Sequence, residues 1–103
     1  MARPLKRMSS TTLIVLQVFA AAPLQEQYGF TLIDRTGLQP GTLYPILARL
    51  EEYGWLVSWW EDVDPAHTGR PRRRYYRLSD GGVDLAREAL SSAPPGLLRW
   101  AGA

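Results

Sequence analysis

Residues 41–79 constrain the fold more than any other stretch. They read as a short amphipathic helix, then two runs of β-forming residues with an arginine-loaded turn between them. In the helix, Leu43, Ile46, Leu47 and Leu50 follow the i, i+3, i+4, i+7 spacing of one buried stripe. The opposite face carries Gly41, Thr42, Pro45, Ala48, Arg49 and Glu52, with Tyr44 on the flank. That face is small and polar toward its N-terminal end, as required of a helix whose first turns approach base edges and backbone. Pro40 suits the first helical position, Gln39 is a poor cap, and Pro45 removes one internal hydrogen bond. Residues 55–60 and 74–78 are rich in β-formers, and the loop over residues 64–71 holds turn residues. The result is a β-hairpin with a long tip. Such a unit can lay a helix in a major groove and a charged hairpin beside it on the phosphates.

The charge distribution points the same way. Net charge is only +2, but residues 69–77 hold Arg70, Arg72, Arg73, Arg74 and Arg77 with no acid. The remaining seven basic and ten acidic residues leave the rest of the chain at −3. A smaller basic cluster lies at Arg3, Lys6 and Arg7. A concentrated basic patch on a mildly acidic body is the electrostatic footprint of a phosphate-binding edge. The alternative is a solvated turn rich in arginine. Five arginines so close repel one another, and an anionic partner relieves that.

Ahead of this unit, residues 13–22 are apolar nearly all round, with caps available at residues 9–12 and Pro23 as a stop. Such a helix is buried on more than one side. The second side is either the chain's own core or a partner subunit, and Val15 lies on the stripe that would face a partner. A second helix is expected over residues 25–35, with Tyr28, Leu32 and Ile33 facing inward and Gly37 at its left-handed C-terminus. Ser79 caps a last helix running to about residue 90, which Pro94 and Pro95 stop. The tail beyond, with Leu97, Leu98 and Trp100, is apolar enough to dock. The expected fold is mainly α with a small β-hairpin: a winged helix-turn-helix with a short C-terminal helix. It fills a single domain of 103 residues, with a core at 12–90, a basic N-terminal arm at 1–8 and an apolar tail at 91–103.

Three pieces carry a resemblance: TLYP at residues 42–45, RLEEYGWL at 49–56 and GRPRRRYYRLS at 69–79. Over residues 12–90 the chain is similar to the PadR-type (phenolic-acid-decarboxylase regulator) winged-helix repressors. The resemblance implies a third helix in the major groove, with Thr42 and Tyr44 at the DNA backbone. It also implies a wing whose Arg72, Arg73 and Arg74 meet phosphates or the minor groove. Pro45, Arg49 and Arg70 complete the expected DNA-binding set. Tyr44 could instead be a core-edge aromatic, while Tyr76 and Leu78 are expected to pack under the wing. The family's second helix carries a His-Gly-Tyr-type sequence; here Tyr28-Gly29-Phe30 keeps the glycine and changes its neighbours. The family's C-terminal region is longer and holds the dimer interface, so a dimer here would rely on the first helix, with Val15, and on the tail, with Trp100.

Trp55 and Trp60 fall at positions that are apolar in the family and are expected in the core. Trp59 points the other way by strand alternation. It would lie on a dimer surface, flank DNA, line a pocket for a planar hydrophobic effector, or be an exposed aromatic without such a role.

Other classes find little support. There is no cysteine, and the single His67 builds no metal site. No cofactor is expected. The acids at Glu51 and Glu52 and at Glu61, Asp62 and Asp64 read as solvated faces, the second group, near the wing, pointing away from DNA, and no nucleophile or phosphate-loop motif suggests an enzyme. The longest apolar run is too short to span a membrane, and the N-terminus does not resemble a signal peptide, so a cytoplasmic protein is expected. The leading reading is a dimeric, sequence-specific double-stranded DNA binder acting as a repressor on a pseudo-palindrome. The alternative is a winged-helix protein-interaction module using a Trp-rich surface.

Overall fold

Ser9 starts the first helix: its hydroxyl accepts from the Thr12 amide at 3.2 Å and caps α1, Ser10–Ala21. In this computed structural model, which describes residues 1–93, α1 lies at the centre of the fold. It touches α2 (Gly29–Thr36), α3 (Pro40–Glu52), β3 (Arg74–Leu78) and α5 (Asp80–Ser91). Ile14, Val15, Leu16, Val18 and Phe19 are all buried against these neighbours. Full burial of such a side chain contributes roughly 1.5–3 kcal/mol. The all-round apolar pattern is therefore explained within one chain. Val15, expected on an outward stripe for a second subunit, is 0% exposed. That expectation is corrected: the chain's own elements, α5 among them, cover the side reserved for a partner. The expected tail contact through Leu97, Leu98 and Trp100 lies outside the described residues.

The second helix starts later than expected. Gln27–Tyr28 forms a two-residue strand, β1, antiparallel to β3, with Gln27 opposite Tyr76 and Tyr28 opposite Tyr75. Helix α2 follows at once. The Thr31 hydroxyl accepts from the Tyr28 amide at 3.0 Å and donates to the Tyr28 carbonyl at 2.8 Å. Leu32 is buried, and Gly37, at φ 72°, closes the helix by donating its amide to the Ile33 carbonyl at 2.9 Å.

Helix α3 begins at Pro40 without a side-chain cap from Gln39 and continues through Pro45. Pro45 has no amide to give to the carbonyl of Gly41, and Gly41 is exposed, so water can satisfy that group. Leu43, Leu47 and Leu50 are buried, while Gly41, Thr42, Pro45, Ala48, Arg49 and Glu52 are all exposed.

The sheet has the order β1-β3-β2, with β2 at Leu56–Trp60. Leu56 pairs with Leu78, Ser58 with Tyr76 and Trp60 with Arg74. Tyr76 and Leu78 are buried, as expected of residues packing under the wing. Ser79 joins the sheet to α5: its hydroxyl accepts from the Gly82 amide at 2.9 Å and donates to the Gly54 carbonyl at 2.6 Å. The N-terminal segment lies on this body. The Arg3 amide donates to the Tyr53 carbonyl at 2.8 Å, and the Trp55 indole donates to the Arg3 carbonyl at 2.5 Å.

Candidate nucleic-acid interface

The tip of the hairpin is folded rather than loose. Asp64 accepts from the Ala66 amide at 3.0 Å and caps a short helix, α4, Pro65–Thr68, which Gly69 ends. At the base of the tip, Glu61 gathers the chain around itself. Its two carboxylate oxygens take the Arg70 guanidinium at 2.6 and 3.0 Å. The Arg73 amide donates to it at 3.2 Å and the Tyr75 hydroxyl at 3.3 Å. The Glu61 side chain is only 11% exposed. Hydrogen bonding to Arg70 outweighs the upward push of burial and, with the Arg73 amide and Tyr75, lowers its pKa from 4.5 to about 2. Two expectations are corrected here. Glu61 does not face solvent, although Asp62 and Asp64 do. Arg70 is held by a bidentate carboxylate and braces the wing instead of offering a free cation.

The other candidate arginines converge on a cleft. Arg72 is exposed, its Nε donating to the Val63 carbonyl at 2.8 Å. The Arg73 guanidinium lies 4.2 Å from the Tyr28 ring centroid, and that of Arg74 lies 5.1 Å from the Trp60 centroid. Arg74 also donates to the Ser58 hydroxyl at 2.7 Å and sits 3.6 Å from Glu51, to which Ser58 donates in turn. That chain of contacts ties α3 to both wing strands.

Between the start of α2, the first turns of α3 and the wing lies a cleft of about 390 Å³. Phe30, Tyr44 and Trp60 line it together with Arg72, Arg73 and Arg74. Tyr44 is 46% exposed, with its hydroxyl against Gly29 at the start of α2, so the ring sits at the edge of the packing and still opens on the cleft. Thr42, Pro45 and Arg49 are not brought into the cleft; they lie on the exposed face of α3, Arg49 being 5.8 Å from the Tyr53 ring centroid. The arrangement offers cations and a phenol hydroxyl to an anion beside an open, mostly uncharged helix face.

Two cleft residues were not among the expected contacts. Phe30 had no assigned role, and Trp60, expected in the core, is 58% exposed. The alternation behind that expectation holds: Leu56, Ser58 and Trp60 share the core-facing side of β2. The core ends before the strand does, so Leu56 is buried, Ser58 half-buried and Trp60 exposed. Trp55 is buried as expected, and Trp59 leans on Tyr75 with ring centroids 6.0 Å apart. Among the described residues, no cluster of acids and histidine could hold a metal ion, and no helix is long and apolar enough to cross a membrane.

This fold recurs in solved structures. Protein smu.1704 from Streptococcus mutans UA159 is 27% identical, with a TM-score of 0.64 over 88% of this chain and 81% of that one. A PadR family transcriptional regulator from Eggerthella lenta DSM 2243 is 30% identical, with a TM-score of 0.58 over 80% of this chain and 69% of that one. Reduced AbfR, in a structure bound to DNA, is 24% identical, with a TM-score of 0.62 over 85% of this chain and 58% of that one. No curated protein matches the chain. The model of the transcriptional regulator PadR-like family matches residues 15–88, most of the chain including α2, α3 and the whole wing, and the protein belongs to that family of regulators, which are not enzymes.

Proposed function

We propose that this chain is a sequence-specific, double-stranded DNA-binding repressor that reads a pseudo-palindromic operator as a homodimer. The observation that carries the reading is the convergence of Tyr44 with Arg72, Arg73 and Arg74 beside the exposed face of α3. With that face in a major groove, Thr42 and Pro45 approach the bases and Arg49 extends along the same side. Tyr44 and the wing arginines then meet the flanking backbone. Arg70 acts indirectly, by fixing the tip through Glu61. The DNA-bound structure of AbfR, which shares the fold, supports the partner class.

The homodimer is proposed because one helix and one wing read only a half-site. Two copies on half-sites roughly 34–36 Å apart gain affinity by acting together. A protein that reads chromosomal DNA works in the compartment that holds it, here taken as the cytoplasm. Binding through α3 and the wing requires no small-molecule effector. The interaction-module alternative gains nothing from the tryptophans: Trp55 is buried, and Trp59 and Trp60 take opposite faces of β2.

Selection from a random pool of duplexes tests the proposal. It should recover one two-fold-symmetric sequence, and sedimentation should find two chains on it. Recovery of no preferred sequence would remove sequence-specific binding. An asymmetric winner bound by one chain would remove the dimer.

A further inference from the structure

We infer that Phe30 and Trp60 are DNA contacts in their own right, closing as apolar jaws on the deoxyriboses beside a phosphate that Arg73, Arg74 and Tyr44 hold. The inference rests on the DNA-binding reading and adds to it two residues and a second kind of force.

Among the described residues, three aromatics are more than a third exposed: Phe30 at 72%, Trp60 at 58% and Tyr44 at 46%. All three line the one cleft between α2, α3 and the wing. Scattered exposed aromatics need no explanation, but three around one mouth form a patch that marks a contact site. Arg72, Arg73 and Arg74 share that mouth. Arg74 already has Glu51 3.6 Å away, but Arg72 and Arg73 form no ion pair among the described residues, and a purely apolar partner would strip water from those two without pairing them, which is costly. A small inorganic anion would leave the aromatic faces uncovered. A sugar–phosphate strand offers both things at once, an anion and apolar sugar faces on either side of it.

The position fits the same occupant. The cleft lies beside the first turns of α3, where the backbone bordering the groove must pass if α3 enters it. The site is also set in advance. Arg73 rests over the Tyr28 ring and Arg74 over the Trp60 ring, so less side-chain freedom is lost on binding.

Phe30→Ala and Trp60→Ala, titrated with the duplex recovered by selection across a salt series, provide the test. Each variant should lose about tenfold in affinity, as expected for an uncovered aromatic face. The slope of log affinity against log salt should match wild type, because no cation is removed. The melting temperature should be unchanged in Phe30→Ala, where the ring is 72% exposed, and should fall only slightly in Trp60→Ala, where Arg74 loses the ring beside it. Trp60→Phe, which keeps a ring, should recover most of the loss. Wild-type affinity in both alanine variants would overturn the inference and assign the cleft another occupant, while a parallel loss in Arg73→Ala would leave the DNA reading standing. A changed salt slope in Phe30→Ala would also overturn it: among the described residues no arginine rests on that ring, so the ring would then act only by placing the arginines. If wild-type protein selects no duplex, the underlying reading fails instead.

Discussion

The Tyr44 hydroxyl occupies the space that a β-carbon on Gly29 would need. Gly29 is the first residue of α2 and Tyr44 stands in the second turn of α3, so the phenol packs against the start of α2. It also leaves the phenol at the mouth of the arginine-lined cleft. The glycine of Tyr28-Gly29-Phe30 thus has a steric reason to be there whatever residues flank it.

Gly29→Ala should push the Tyr44 ring aside, lowering both DNA affinity and melting temperature. In a Tyr44→Ala background the collision is gone. Gly29 does not need a positive φ, so the same substitution should then stabilise the fold by about 0.4–1 kcal/mol. Thermal melts of the four proteins in this cycle check the coupling. An effect of the same sign and size in both backgrounds would contradict it.

Val15→Glu bears on the role of α1. Val15 is fully buried among the chain's own elements, so the charge would sit unpaired in the core of each monomer. The loss should be roughly 4–5 kcal/mol or more, comparable to the whole stability of a domain this size. Circular dichroism should show a chain that no longer melts cooperatively. A folded monomer that merely fails to pair would return α1 to the subunit interface.

Glu61 makes wing stability depend on pH. Its pKa is about 2 in the fold against 4.5 ordinarily, so its contribution is present above 4.5 and is lost as pH falls from there toward 2. Glu61→Gln carries no such titration. The difference in melting temperature between wild type and Glu61→Gln should be constant near neutrality and shrink as pH falls through that window. A difference that stays flat down to pH about 2 would mean that the Arg70 pair does not stabilise the wing.

The parts of this fold that were legible in the sequence are those with a period. The buried stripe of α3, the caps at Ser9 and Ser79, and strand β3 all follow from spacing within one element. Strand β1 has two residues and no period to read, so Gln27 and Tyr28 passed for helix. Val15 was misplaced because apolarity says how much of a helix is buried, not which chain buries it. Trp60 was misplaced because alternation assigns a side of the strand but not where the core stops. The Glu61–Arg70 pair joins residues across the folded wing tip, and nothing in their spacing distinguishes that acid from its neighbours Asp62 and Asp64. The cleft was half visible: its arginines stood out as a charge run, whereas its aromatics came together only through the packing of α2, α3 and β2.

The most direct test of the account is the salt dependence of binding to the selected duplex, for wild type and for Arg72→Ala, Arg73→Ala and Arg74→Ala combined. If these residues meet phosphates, the triple variant should bind every duplex more weakly. Its slope of log affinity against log salt should be shallower by about 0.9 for each phosphate that is no longer neutralised. A triple variant with the wild-type slope would contradict the central claim, because the wing would then not be the surface that meets the backbone.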